Sequence, residues 1–337
     1  MIDGRLLARV LTEPGYALTL DARGWASLLA IAHAERLSGS LAARLEGLAI
    51  PAAAREVLDT AHTNAEASRT AALWEAEMAR RALAPLGLSV ILLKGAAFIA
   101  AGLDAGRGRM IGDLDILVPR DRLDEAEAAL LGAGWEWVKP DSYDDAYYRQ
   151  HMHELPPLIH TTRDRMIDVH HTILPLTARI RPDAAALIEE AVPLGNGLAV
   201  LSPEAMVIHA VAHLFADGDL AGGLRNLWDI DRLLREFADG ADGWQRLHTC
   251  SSRHGLTRHL SRALRLCHHL FETPVDAYLA WQARRGDVFY MSRLLARNGW
   301  GQETRKPLRF AFYVRSHWIR MPPLKLAKHL WTKWRRG

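Results

Sequence analysis

The chain has 337 residues, of which 49% are hydrophobic and 24% charged, a balance that supports a folded core and excludes an intrinsically disordered chain. Nowhere do about 18 uncharged apolar residues follow one another, and the opening MIDGRLLARVLTEPG lacks an apolar run with a small-residue cleavage site, so neither a membrane span nor export is expected. Cys250 and Cys267 are the only cysteines, which argues against a disulfide framework or a cysteine-based zinc site and fits a reducing cytoplasm; the net charge of +3 hides a basic segment, 305 to 337, with ten Lys or Arg and no Asp or Glu.

Residues 20 to 85 are rich in Ala and Leu with few breakers, and Pro51 to Leu83 reads as one long helix with Pro51 near its first turn, so 1 to 85 is expected to be a helical N-terminal region. At Leu88 the texture changes. The run SVILL is short, apolar and branched, as in a buried strand, and it ends at Lys94-Gly95 ahead of a short helix, Ala96 to Ala101. The Gly- and Arg-rich stretch Gly102 to Gly112 reads as a flexible loop. In DLDILVP, Leu114, Ile116 and Val118 alternate with Asp113, Asp115 and Leu117, which predicts a strand. Asp121 is placed to cap a helix from Arg122 to Leu131, and Gly132 and Gly134 stop it. After a polar, Tyr-rich connection, strands are expected around Leu155 to His160 and Met166 to Thr172. From Ser202 onward helices are expected at 203 to 216, 224 to 237, 243 to 253 and 256 to 271. The plan is an α+β protein with a small mixed sheet in 86 to 200, a helical region before it and a helical region, 201 to 337, ending in the basic tail.

On a strand, Asp113 and Asp115 project from one face while Leu114 and Ile116 face the other way. Two carboxylates held that close repel, and a divalent cation such as Mg²⁺ removes the penalty. A third carboxylate on a neighbouring strand would allow two cations to bind, and Asp168 in MIDVHH lies in such a segment. A strand-borne DxD alone is as often two solvent-facing acids. The preceding turn changes the balance, because Lys94-Gly95 at a helix start offers backbone N–H groups and a positive charge to a phosphate.

Together LLKGAAFIA, RMIGDLDILV and MIDVHH resemble the nucleotidyltransferase fold of the polymerase-beta superfamily, and more narrowly its uncharacterised bacterial nucleotidyltransferases. HAVAHLF and RNLWDIDRLL are similar to the helical region of that branch, so the resemblance covers about residues 85 to 240. It implies that Asp113 and Asp115 bind metal, that Asp168 completes the catalytic metal's shell, and that Gly95 sits against the triphosphate. The superfamily usually has Gly-Ser where this chain has Gly95-Ala96, and the missing hydroxyl removes a phosphate hydrogen bond worth about 1.5 to 3 kcal/mol. Lys94 or Arg109 can compensate.

Arg107 and Arg109 precede the DxD strand, where an arginine can neutralise phosphate charge; the bland reading is a loop arginine paired with an acid. The glycine spacing of GRGRMIG does not match a dinucleotide fingerprint. HMHELPPLIH and His170-His171 place imidazoles beside Asp168, and His170 shares the face of Asp168, as a group that binds the nucleotide, orients the acceptor or acts as a base, or as a polar residue packed against the sheet. His209 and His213 have zinc-helix spacing without a third ligand and read as structural. Asp229 and Asp231 repeat the DxD spelling on a helix, where they diverge by about 200° and cannot share a metal. No serine-hydrolase elbow or Walker A loop is present.

The expected function is transfer of a nucleoside monophosphate from an NTP, ATP by preference, to a hydroxyl of a small-molecule, peptide or protein acceptor with Mg²⁺ or Mn²⁺. Two other readings stand beside it: a non-catalytic nucleotide-binding or adaptor protein on the same fold, and an RNA-modifying transferase that uses the basic tail with Trp318, Trp331 and Trp334.

Overall fold

The computed structural model describes residues 2–139, 142–280 and 286–320; Trp331 and Trp334 of the basic tail lie outside the described residues. The N-terminal region is helical: α1 (Arg5–Thr12), α2 (Ala22–Ala34), α3 (Ser38–Arg44) and the long α4 (Ala52–Leu83). The central region then alternates β1 (Val90–Leu92), α5 (Lys94–Ala100), β2 (Asp113–Leu117), α6 (Leu123–Gly132), β3 (Trp135–Trp137), α7 (Ser142–His151), β4 (Leu158–His160), β5 (Met166–His170), α8 (Ala184–Glu189), β6 (Val192–Pro193) and β7 (Leu198–Val200). Helices follow again: α9 (Pro203–Ala212), continued by a π-helical turn at His213–Asp217, then α10 (Gly223–Phe237), α11 (Gly240–Arg253), α12 (Thr257–Phe271), α13 (Ala277–Ala280), α14 (Asp287–Leu294) and α15 (Lys306–Arg320).

The seven strands form one mixed sheet in the order β3-β4-β5-β2-β1-β7-β6. Its centre is apolar for a plain reason: every residue of β1 and β7, and Leu114 and Ile116 of β2, is buried, and each large aliphatic side chain so removed from water contributes about 1.5–3 kcal/mol. β1 pairs antiparallel with β2 and parallel with β7, whereas β2 pairs parallel with β5 in a register that sets Asp115 opposite Asp168. Helix α4 packs along α5 and α6 and against β1, β2 and β7, while α1 reaches α12, so that the first and last parts of the fold meet. The architecture is the α+β sheet with flanking helices that the sequence predicts. Among the described residues no helix is long and apolar enough to cross a membrane.

Three local expectations change. Helix α6 starts at Leu123 after a 3-10 turn, Arg120–Arg122, so Asp121 lies inside that turn and caps nothing; Arg122 instead holds Glu125 at 2.8 and 3.0 Å. The Tyr-rich connection contains α7, and the sheet is wider by β3, β6 and β7. The Gly- and Arg-rich loop before β2 is clasped, not loose. Ser68 of α4 accepts from the Ile111 amide at 2.8 Å and donates to its carbonyl at 3.1 Å, and Ser40 of α3 donates to the Arg107 carbonyl at 3.2 Å. Gly39 and Gly108 bring the two backbones into direct contact.

The described residues of the basic segment pack on the fold. On α15, Phe312 is buried with its ring 5.0 Å from that of Tyr290, and Arg315 donates to the Phe215 carbonyl at 2.5 Å, so this helix packs on the π-helical turn.

Gly108 combines a left-handed backbone (φ +65°) with a Cβ position that collides with the backbone of Gly39 and Ser40. Gly108→Ala is therefore expected to cost about 2–4 kcal/mol in urea unfolding, while Gly132→Ala, which meets nothing within 4 Å, changes stability by less than about 0.5 kcal/mol. Equal effects would show that the close approach does not anchor the loop.

Candidate active site

The site forms where the end of β1 meets the first halves of β2 and β5. Leu93 continues β1, and its amide donates to the Asp115 carbonyl at 2.9 Å. The next residue turns sharply, since Lys94 has φ +48°, a conformation that costs a side-chain-bearing residue about 1 kcal/mol or more and so needs a reason. The reason is visible in its contacts: Lys94 Nζ lies 2.5 Å from Asp115 Oδ1.

The strand register does the rest. Asp115 and Asp168 are direct neighbours across parallel β2 and β5, and Asp113, two residues earlier on β2, shares the face of Asp115. Asp113 is exposed at the strand's start, Asp115 is buried, and Asp168 is intermediate. Burial pushes the Asp115 carboxyl up, but Lys94 and His170 beside it prevail and hold it well below the usual carboxylate range. Asp168 has no such partner. Burial, with the charges of Asp115 and Asp113, pushes its carboxyl up to about 7, and its Oδ1 is buried without a hydrogen bond. Three carboxylates with one orphaned oxygen make a set that a hard divalent cation fits, because such a cation takes oxygen ligands and cancels the repulsion.

His170 is 1% exposed and its Nε2 lies 2.9 Å from Asp115 Oδ1. Burial holds the imidazole below its ordinary range, so it is neutral at pH 7 and donates from Nε2 to the ionised carboxylate. His170 thus orients Asp115. Its Nδ1 faces Glu154 Oε2 at 3.4 Å. Among the described residues, the group of His, Cys, Asp or Glu whose ligand atoms all lie within 4.8 Å of one another is His153, Glu154 and His170, not the three aspartates.

The turn at Gly95 differs from the phosphate cradle expected there. A Cβ on Gly95 would collide with Arg109 Nε and Ile111 Cδ1, so the Arg109 side chain fills the space, and Ala96 is 4% exposed within the hydrophobic core. What faces the carboxylates from this turn is the Lys94 side chain. Arg109 pairs with Asp229 of α10, which also accepts from Arg225 Nε at 3.1 Å, and burial lowers Arg109 only to about 10, so it stays charged. Arg107 is exposed, 3.9 Å from Glu46 and 3.8 Å from Asp104, far less committed than Arg109.

A small cavity opens beside Lys94, bounded by Arg109, Phe98, His209, His213 and Asp229. Sequence reasoning treated His209 and His213 as structural; their i and i+4 spacing put them on one helix face, but nothing in the sequence says that this face meets Lys94. Burial pushes His209 well below its ordinary range, so it presents a neutral imidazole. Asp229 and Asp231 diverge as helical geometry requires: Asp231 is held by Arg232, Arg235 and Thr273, away from Asp229's partners.

The chain matches the model of the family described as uncharacterised nucleotidyltransferases over residues 21–272, and it belongs to that family. No functionally curated protein matches it.

In the presence of a chelator, Asp168→Asn is expected to stabilise the protein in a pH-dependent way. Below about pH 3 the carboxyl is protonated in folded and unfolded chains alike and the substitution is neutral. As pH rises from 3.8 to about 7 the unfolded chain ionises first, and the advantage of Asn grows to about 4 kcal/mol, staying there at higher pH. Urea unfolding at pH 4.5, 6 and 8 measures it; a pH-independent difference would mean that burial and the neighbouring carboxylates do not raise Asp168.

Proposed function

From this family membership and the carboxylate geometry, we propose that the protein transfers a nucleoside monophosphate from an NTP, ATP by preference, to a hydroxyl group, with Mg²⁺ or Mn²⁺ held by Asp113, Asp115 and Asp168. The observation that carries the reading is the register of β2 against β5, which sets Asp168, with an unpartnered oxygen, directly beside Asp115.

Bound there, divalent cations supply Lewis-acid charge to the α-phosphate and to the leaving pyrophosphate. The protein's own groups do the positioning. Asp115 is fixed by Lys94 and His170, so its carboxylate does not swing when the nucleotide arrives. Beside the small cavity at Lys94, Arg109 and Arg225 share the single carboxylate of Asp229, which leaves an excess of positive charge that a phosphate oxygen of the nucleotide would balance. In the transfer, an acceptor oxygen forms a bond to the α-phosphorus and the bond from that phosphorus to the bridging oxygen breaks. Pyrophosphate leaves with the electron pair, and the acceptor's proton passes to the carboxylate of Asp168, which a cation held there would keep ionised. Catalysis of this kind is mainly positioning and charge neutralisation. The packing of Phe312 and Arg315 of the basic segment on the fold favours a small-molecule, peptide or protein acceptor over RNA.

A second reading has its own observation, the Lys94 ammonium 2.5 Å from Asp115, where it supplies charge that a cation would otherwise supply. In that reading the chain is a nucleotide-binding or adaptor protein that does no chemistry. Calorimetry with ATP separates the two. The transferase reading predicts binding that needs Mg²⁺ and weakens at least about 100-fold in Asp113→Ala with Asp115→Ala. Binding indifferent to Mg²⁺ and to these substitutions supports the adaptor, and no binding to the folded wild type overturns both.

A further inference from the structure

A second cluster of ligand atoms lies on the far side of His170 from Asp115. The segment 153–155 runs antiparallel along the end of β5: the Leu155 amide donates to the Val169 carbonyl at 2.9 Å, the His171 amide donates to the His153 carbonyl at 2.9 Å, and Glu154 bridges to His170. That pairing brings three side chains to one place. Glu154 Oε2 is 3.5 Å from His153 Nε2 and 3.4 Å from His170 Nδ1, and the three ligand atoms fall within 4.8 Å of one another.

We propose that His153, Glu154 and His170 form a metal site for a divalent transition ion of the zinc class, distinct from the carboxylate site on β2 and β5.

Three observations carry it. The donor set is two imidazoles and one carboxylate, the N₂O set typical of zinc and unlike the all-oxygen shell of Mg²⁺. The spacing fits, because two ligands at 2.0–2.1 Å from a tetrahedral ion stand about 3.3–3.4 Å apart, close to the 3.4 and 3.5 Å separations around Glu154 Oε2. His170 is also set for ligation. Its Nε2 lies 2.9 Å from Asp115 Oδ1, and its buried Nδ1, which has no hydrogen-bond partner, faces the carboxylate oxygen of Glu154 at 3.4 Å.

The bond on the other side of the ring gives the ion a role. A metal-bound histidine that donates its second ring nitrogen to a carboxylate is the usual outer-shell arrangement of such sites, and here that carboxylate is Asp115. The ion fixes the ring of His170 and through it the orientation of Asp115. Glu154, with its side chain 18% exposed, leaves a solvent path along which the ion enters and water completes the shell. The proposal does not depend on nucleotidyl transfer, since it rests on residues of another shell.

The test is Co²⁺ titration of the full-length protein after chelator dialysis, read by the visible d–d absorption of a four- or five-coordinate ion. One equivalent with these bands is expected, weakened at least about 100-fold in His153→Gln and in Glu154→Gln, and retained in Asp168→Asn. Circular dichroism identifies the folded variants, and either of the first two suffices if the other fails to fold; should both unfold, competition of Zn²⁺, but not Mg²⁺, for the wild-type Co²⁺ bands supports the site, and displacement by Mg²⁺ overturns it. The proposal is also overturned if the bands are absent, if they survive both ligand substitutions, or if Asp168→Asn removes them. ATP binding in calorimetry reads the other site separately, so failure of one reading does not imitate failure of the other.

Discussion

The parallel pairing of β2 with β5 sets two carboxylates, Asp115 and Asp168, side by side on the central strands of an otherwise apolar sheet. Like charges at about 4 Å cost on the order of 4 kcal/mol where the effective dielectric is near 20, and the protein spends structure to contain that cost. Lys94 accepts a left-handed backbone to reach Asp115, and His170 adds a hydrogen bond from the next position on the same face of β5. Asp168 is left under-compensated. On the proposed reading, a cation from outside would supply the counter-charge that Lys94 alone does not give Asp168.

The helical regions take part in the same electrostatics. Arg109 leaves the loop before β2, crosses Gly95 and ends on Asp229 of α10, so the loop, the turn after β1 and the C-terminal helices are tied by buried charge. Removing one member of such a group leaves the others without balance, which costs far more than the intact group contributes. The clasp of Ser68 and the contact of Gly39 with Gly108 hold that loop from the other side. The cavity beside Lys94 is therefore walled by the sheet's turn and by α9 and α10 together. Neither region alone would make it.

Much of the frame was legible in the sequence because it depends on local periodicity. The breaker-free run after Pro51 became α4, the SVILL run became β1, and the alternation of DLDILV became β2. Asp113 and Asp115 share a face by the two-residue period of a strand, and Asp168 was found from its place in MIDVHH. What stayed hidden depends on long-range pairing. No spelling gives the register that sets Asp168 against Asp115 instead of Val169. Glu154 passed unnoticed because its meaning comes from the bridge to His170, and His209 and His213 because their helix face is defined by what packs on it. Short edge strands such as β3 and β6 carry too few residues to show a period. Asp121 misled because a 3-10 turn and an N-cap are written with the same residues.

The most direct measurement is the free Mn²⁺ signal in electron paramagnetic resonance as protein is added, with and without ATP, for wild type, Asp115→Asn and Asp168→Asn. The structure predicts that wild type removes Mn²⁺ from solution, more strongly with ATP, and that each substitution weakens this by at least about 10-fold, because each takes a ligand from the same shell. Equal Mn²⁺ uptake by all three proteins, or none by the folded wild type with ATP, would contradict the claim that the β2 and β5 carboxylates form a cation site.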